Sequence, residues 1–206
     1  MARTRDRILA AAERIHQREG LDSVSMRRIA DEVGLTPMAL YRHFQHKEAL
    51  LDALVDEGFA RWERYLAAAA SAPTPLERVR AGLTAYVGFA LGEPKLFQLM
   101  YLVPRGSAPD APASLRTTTS PAFGALVSAV QEAMAAGELR AGDPSELLLV
   151  AWATVHGIVA LHFGGRFGND DARFRAVAGR TIETLLLLLA PPSAGPLRRA
   201  PLRAAP

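Results

Sequence analysis

Cysteine is missing from all 206 residues, which excludes disulfides, thiol catalysis and Cys-ligated zinc and fits a reducing compartment. Strand-like alternation of apolar and polar residues is missing too. The expected architecture is therefore all-α, on the order of nine helices, with no internal repeat. The opening M-A-R-T-R-D-R lacks an apolar run and carries an acid, which argues against an export signal and predicts a cytoplasmic protein. Catalytic signatures are also wanting: there is no HExxH, no paired acidic motif and no spaced Ser/His/Asp set. Gly164-Gly165-x-x-Gly168 lacks the Lys-Ser/Thr of a phosphate loop and follows a helix, so it reads as a turn. No catalytic residue, metal or cofactor is expected. The net charge of +3, with 50% hydrophobic and 22% charged residues, permits an anionic partner without naming one. The basic side chains are nearly all Arg, as coding bias or bidentate phosphate binding would each produce.

What is present is organised around Ser25 to Lys47, S-M-R-R-I-A-D-E-V-G-L-T-P-M-A-L-Y-R-H-F-Q-H-K. Ser25 is placed to cap a helix whose Met26, Ile29, Ala30 and Val33 share one apolar face. Gly34 stands where a chain leaving a helix commonly needs positive φ, and Leu35 turns back inward. Thr36 and Pro37 restart the chain as N-cap and first helical residue of a second helix, expected from Pro37 to Phe44. Leu40 and Phe44 anchor it, so Thr36, Pro37, Met38, Tyr41, Arg42 and His43 face outward. This is a helix-turn-helix.

Ser25, Ile29-Ala30, Gly34-Leu35-Thr36, Leu40-Tyr41-Arg42-His43-Phe44 and Lys47-Glu48-Ala49-Leu50 succeed one another in the order and spacing of a known family. The stretch resembles the DNA-binding domain of the tetracycline-repressor (TetR) type regulators. One position departs, His46, where the family usually has a small polar cap such as Ser. The resemblance implies that the second helix enters the major groove of double-stranded DNA. Thr36, Pro37, Met38 and Arg42 then lie nearest base edges, Tyr41, His43 and Lys47 on phosphates, and Arg27 at a guanine. It further implies a transcriptional regulator, most often a repressor released by a small molecule.

Around this stretch, Ile8, Leu9, Ala12 and Ile15 mark a support helix ending at Gly20, preceded and opened by Arg3, Arg5 and Arg7, a basic arm or merely a solvated terminus. Residues 1–46 are expected to form the DNA-binding domain. A connector helix from Lys47 to Ala70 leads to the breaker Ser71–Pro75, and residues 47–190 make up connector plus C-terminal domain. Further helices carry Leu76 to Ala90, Leu96 to Tyr101 and Phe123 to Met134, with a surface loop from Pro104 to Pro112. Asp143-Pro144-Ser145-Glu146 spells a helix start, with Asp as N-cap and Glu three residues on. Leu147 to Gly165 carries no charge, long enough to raise a transmembrane reading. Thr154, His156, His162 and the internal glycine argue instead for a helix buried on nearly all sides of a bundle, with no membrane partner. A last helix runs from Phe174 to Ala190, and the Pro-, Ala- and Arg-rich tail from 191 to 206 is expected to be disordered.

Trp152-x-x-x-His156-Gly157, with Phe89-Ala90 and Pro94-x-x-Phe97-x-x-Met100, resembles a Trp-His-Gly type C-terminal domain found in one branch of the same family. Trp152 and His156 share a helical face. They form either a packed core pair or a ligand-facing handle. Phe89, the group Phe97, Met100 and Tyr101, and Phe123 lie on three helices and, given the resemblance, line a pocket for an apolar or aromatic effector. Two other readings stand beside this one: an enzymatic or small-molecule pocket around His156 in an all-α protein, and a helical interaction module. The charge-free helix and the leucine-rich last helix carry more apolar surface than a small bundle covers, which predicts a homodimer through both and a near-palindromic operator.

Overall fold

The computed structural model describes residues 4–103, 121–168 and 170–192. Among these the chain is all-helical, as expected, with nine α-helices: α1 (Thr4–Glu19), α2 (Met26–Val33), α3 (Pro37–Tyr41), α4 (Lys47–Ala67), α5 (Pro75–Gly92), α6 (Pro94–Tyr101), α7 (Pro121–Ala135), α8 (Pro144–Phe163) and α9 (Asp171–Leu189). The Pro104–Pro112 loop, and the tail from 193 onward, lie outside the described residues.

Local chemistry sets most boundaries. Ser25 and Thr36 accept backbone hydrogen bonds from Arg28 and Ala39, and Asp143 and Asp170 do the same for α8 and α9. Thr74 and Glu77 form a reciprocal capping box at the start of α5. Gly34 adopts φ 69°, a left-handed geometry that a β-carbon disfavours, and its N–H closes α2. His46, the departure from the family pattern, proves a competent cap: its Nδ1 accepts from the Ala49 N–H at 3.0 Å.

Three expectations are corrected. α3 ends at Tyr41 rather than Phe44, because the chain must turn within a few residues to start α4 while Phe44 is drawn into the core. α4 ends at Ala67, and a 3-10 turn, Ala69–Ser71, completes the connector. α8 is not buried on nearly all sides: Leu147, Leu148, Ala151, Val155, Val159 and His162 face inward, whereas Leu149, Val150 and Leu161 are exposed. By length and composition α8 could cross a membrane. Here one face packs on α5, α7 and α9.

Two apolar cores result. The first gathers α1, α2, α3 and the first half of α4 around Ile8, Ile15, Ile29, Leu40 and Leu50. The second surrounds α5, which touches α4, α6, α7, α8 and α9. α4 contributes to both cores, Leu50 and Leu54 to one, Trp62 and Leu66 to the other. So does α6, whose Leu99 is wholly buried in the first core while Phe97 and Met100 belong to the second.

Candidate functional site

Two sites stand out, and the first is the outer face of α2 and α3. Thr36, Pro37, Met38, Tyr41, Arg42 and His43 are all exposed, Met38 to 73%. Met38 is the most exposed large hydrophobic side chain within residues 4–67. The arginines of residues 4–67 sort sharply. Arg14, Arg18, Arg28 and Arg61 pair with carboxylates, Arg7 and Arg64 donate to backbone carbonyls, and Arg5 lies over the Phe44 ring at 4.9 Å. Only Arg27 and Arg42 in that span have no partner among the described residues, and both are on this face. The chain from Leu35 to Lys47 contains no acid, so the α3 part of the face is a solvated basic surface around exposed Met38.

Arg7 donates to the Val33 carbonyl at 2.8 Å, closing the end of α2, so it braces the helix-turn-helix instead of forming a free arm. Arg3 lies outside the described residues. Lys47 is half-buried, and its Nζ donates to the Leu21 carbonyl at 3.3 Å. That bond is long for a charged donor, so an anion could compete for the ammonium.

The second site is an aromatic cluster. Phe97 is wholly buried at its centre, with ring centroids 4.9 Å from Tyr101, 6.0 Å from His156, 6.2 Å from Phe89 and 5.5 Å from Phe163. Trp152 and His156 lie 5.1 Å apart. Met100 faces α4, where a β-carbon on Gly58 would stand 2.5 Å from its sulfur, so glycine at that position is what lets α6 nest against α4. Phe123 joins the same core from α7. A cleft of about 80 Å³ opens elsewhere, between Leu66, Ala69, Leu126 and Ala129 beside the Arg78–Glu132 ion pair, and contains none of the expected ligand residues.

Tyr86 was not foreseen as a site residue. Its hydroxyl lies 2.8 Å from His156 Nδ1. Burial pushes the Tyr86 phenol well above its usual pKa of 10, helped by Tyr101 and opposed by Trp152, and burial lowers His156 below 6.5. The Trp152 Nε1 has no partner in hydrogen-bonding geometry, so its pull on Tyr86 is weak. Both shifts favour a neutral pair in which Tyr86 donates to Nδ1 and the imidazole proton sits on Nε2. The only sequence signal for Tyr86 was a hydroxyl within an apolar stripe. Because the folded pKa of His156 lies below its unfolded value, the unfolded chain binds more protons as pH falls below about 6.5, and folding stability declines there. A His156→Asn variant should show a shallower loss of Tm between pH 7 and pH 5 than the parent; parallel curves would remove His156 from that acid sensitivity.

The two sites are joined at a polar junction. Arg61 on α4 donates to both carboxylate oxygens of Glu13 on α1, at 2.5 and 2.6 Å, and to Glu93 at the head of α6, at 3.4 Å. His16 Nε2 on α1 lies 3.0 Å from the Lys95 carbonyl of α6.

Comparison with known proteins follows the same division. Residues 8–54 match the profile of bacterial regulatory proteins of the tetR family, and residues 79–185, over half the chain, match a tetracyclin repressor-like C-terminal domain. The transcriptional repressor DrrR1 of Streptomyces coeruleorubidus is 47% identical over 53 residues, 26% of this chain and 20% of that protein. The class A tetracycline repressor from transposon 1721 of Escherichia coli is 30% identical over 138 residues, 58% of this chain and 64% of that protein. The chain thus spans a fifth to just under two thirds of the length of these curated relatives. A solved protein of unknown function from Rhodococcus sp. RHA1 superposes with a TM-score of 0.75 at 34% identity, covering 92% of this chain and 97% of that one. With both halves matched in order around a helix-turn-helix whose outer face is cationic and unpaired, the chain belongs to the TetR family of transcriptional regulators.

Proposed function

We propose that this regulator is a homodimeric repressor that holds a near-palindromic operator and is released by a small apolar or aromatic effector. The observation that carries the DNA half is the contrast among arginines: Arg27 and Arg42 stay unpaired on the α2–α3 face while their neighbours are neutralised. In this reading residues 1–46 form the reading head and 47–190 the connector and regulatory domain. α3 enters the major groove with Thr36, Pro37, Met38 and Arg42 toward base edges, and Tyr41, His43 and Lys47 toward phosphates. Arg27 reaches a guanine with its bidentate fork. Phe89, Phe97, Met100, Tyr101, Phe123, Trp152 and His156 surround the effector, and the Trp152-x-x-x-His156-Gly157 succession supports membership of the Trp-His-Gly branch.

The direct test is a gel shift with the gene's own upstream region: a retained, salt-sensitive band supports the reading, and no shift at low salt counts against it. Arg27→Ala should relax base preference at one operator position at a cost of about 1–3 kcal/mol, whereas Lys47→Ala should weaken all sequences alike. Selection of bound duplexes from a random pool checks this. An unchanged preference in Arg27→Ala would remove the guanine assignment.

A further inference from the structure

Met38 is a poor choice for a surface that only meets phosphates. Its side chain is 73% exposed on a five-residue helix. It is flanked by exposed Pro37 on one side and by Tyr41, 46% exposed, one turn on. The exposed polar side chains on α2 and on the α3 stretch include Arg27, Thr36, Arg42 and His43. A thioether cannot donate to a phosphate oxygen and is only a weak acceptor. It is a flexible, polarizable apolar group that fills irregular gaps. Within the major groove the one apolar group that projects from a base edge is the C5 methyl of thymine; cytosine has only a hydrogen at that carbon, and the remaining recognition points are hydrogen-bond donors or acceptors.

We propose that Met38 is a specificity-determining residue that reads a thymine C5 methyl in each operator half-site. The inference rests on the reading of α3 as the groove-entering helix, and it adds the chemistry of one contact. The methyl packs on the apolar surface of Met38 and the neighbouring Pro37 ring, while the exposed Arg27 and Arg42 supply polar contacts. Met38 thereby excludes cytosine, which offers an exocyclic amine and no methyl, at that step.

The test uses the full chain and duplexes selected from a random-sequence pool. Each thymine of the enriched motif is replaced in turn by deoxyuridine, which deletes only the methyl. At one thymine per half-site, uracil should weaken binding about fourfold, the effect of exposing one methyl-sized group, and about 16-fold when both half-sites are changed. 5-Methylcytosine in place of cytosine in a mutant C·G site should restore part of the lost affinity. In Met38→Ala the parent and uracil duplexes should bind alike; Met38 is exposed, so this variant keeps its fold, which its Tm checks. If a motif is enriched but the parent protein is indifferent to uracil at every thymine, or Met38→Ala keeps the full penalty, the Met38 contact is wrong and the groove-entering reading stands. If no motif is enriched at all, the groove-entering reading falls and takes this contact with it.

Discussion

A Leu187→Glu, Leu188→Glu variant is expected to be a folded monomer that has lost operator binding. Of the five leucines that end α9, Leu185, Leu186 and Leu189 are buried in the protomer, whereas Leu187 and Leu188 are 76% and 71% exposed. The protomer's own core therefore loses nothing when they change, and its Tm should move little. The proposed dimer loses a great deal. Burying a leucine side chain is worth about 1.5–3 kcal/mol, so four such side chains across a symmetric interface supply roughly 6–12 kcal/mol. Losing even the lower figure weakens dimerisation by about ten-thousandfold. On α8, which packs against α9, Leu149, Val150 and Leu161 are exposed as well. His162 braces α8 to α9, stacking on Phe174 at 4.1 Å and reaching Asp171 Oδ1 at 3.1 Å. A monomer can hold only one half-site, so operator affinity falls with dimerisation. Sedimentation at micromolar concentration decides the matter: a monomeric parent would remove the dimer, and a double variant that stays dimeric would put the interface elsewhere.

How far the sequence disclosed this molecule depends on the range of the interactions involved. The caps Ser25, Thr36 and Asp143 were legible because each is settled within three residues of itself. The end of α3 was not, since it depends on where α4 must begin and on the pull of the core on Phe44. The exposed face of α8 was missed for a different reason. A helix apolar all round gives no periodic signal of which side packs, so only neighbours in space reveal that Leu149, Val150 and Leu161 face out. α6 presents the same ambiguity: Leu96, Phe97, Leu99 and Met100 crowd one short helix, and nothing in their spacing says that Leu99 belongs to the DNA-binding head's core. Arg61 and Glu13 are 48 residues apart, beyond any local pattern. Of the expected ligand residues, Phe97, Tyr101, Trp152 and His156 come together in one ring cluster; Tyr86, which orients His156, had to be seen in place.

That arrangement changes the expected route from effector to operator. The connector α4 spans both cores, as the sequence suggested, but α6 spans them too, and α1 rests on both helices. One face of α6 inserts Leu99 into the head and offers the Lys95 carbonyl to His16; the other carries Phe97 and Tyr101 into the aromatic cluster. Arg61 ties the three helices together through Glu13 and Glu93. An effector that wedges the rings apart would thus shift α6 against α1, and the two recognition helices of a dimer would change spacing. Coupling of this kind is typically about 1–3 kcal/mol, a five- to 150-fold change in DNA affinity, and linkage makes it reciprocal. On this route operator binding is expected to perturb the aromatic cluster even without effector. Trp62, 4% exposed and 5.4 Å from Tyr86, is a built-in reporter of that cluster. Saturating operator should shift tryptophan emission in the parent protein. In Arg61→Gln, which removes the bidentate contact while leaving Leu99 and the α3 surface in place, DNA affinity should stay within a few-fold and the emission shift should shrink. An undiminished shift in Arg61→Gln would take that residue out of the coupling, and no shift in the parent would rule out the α6 route.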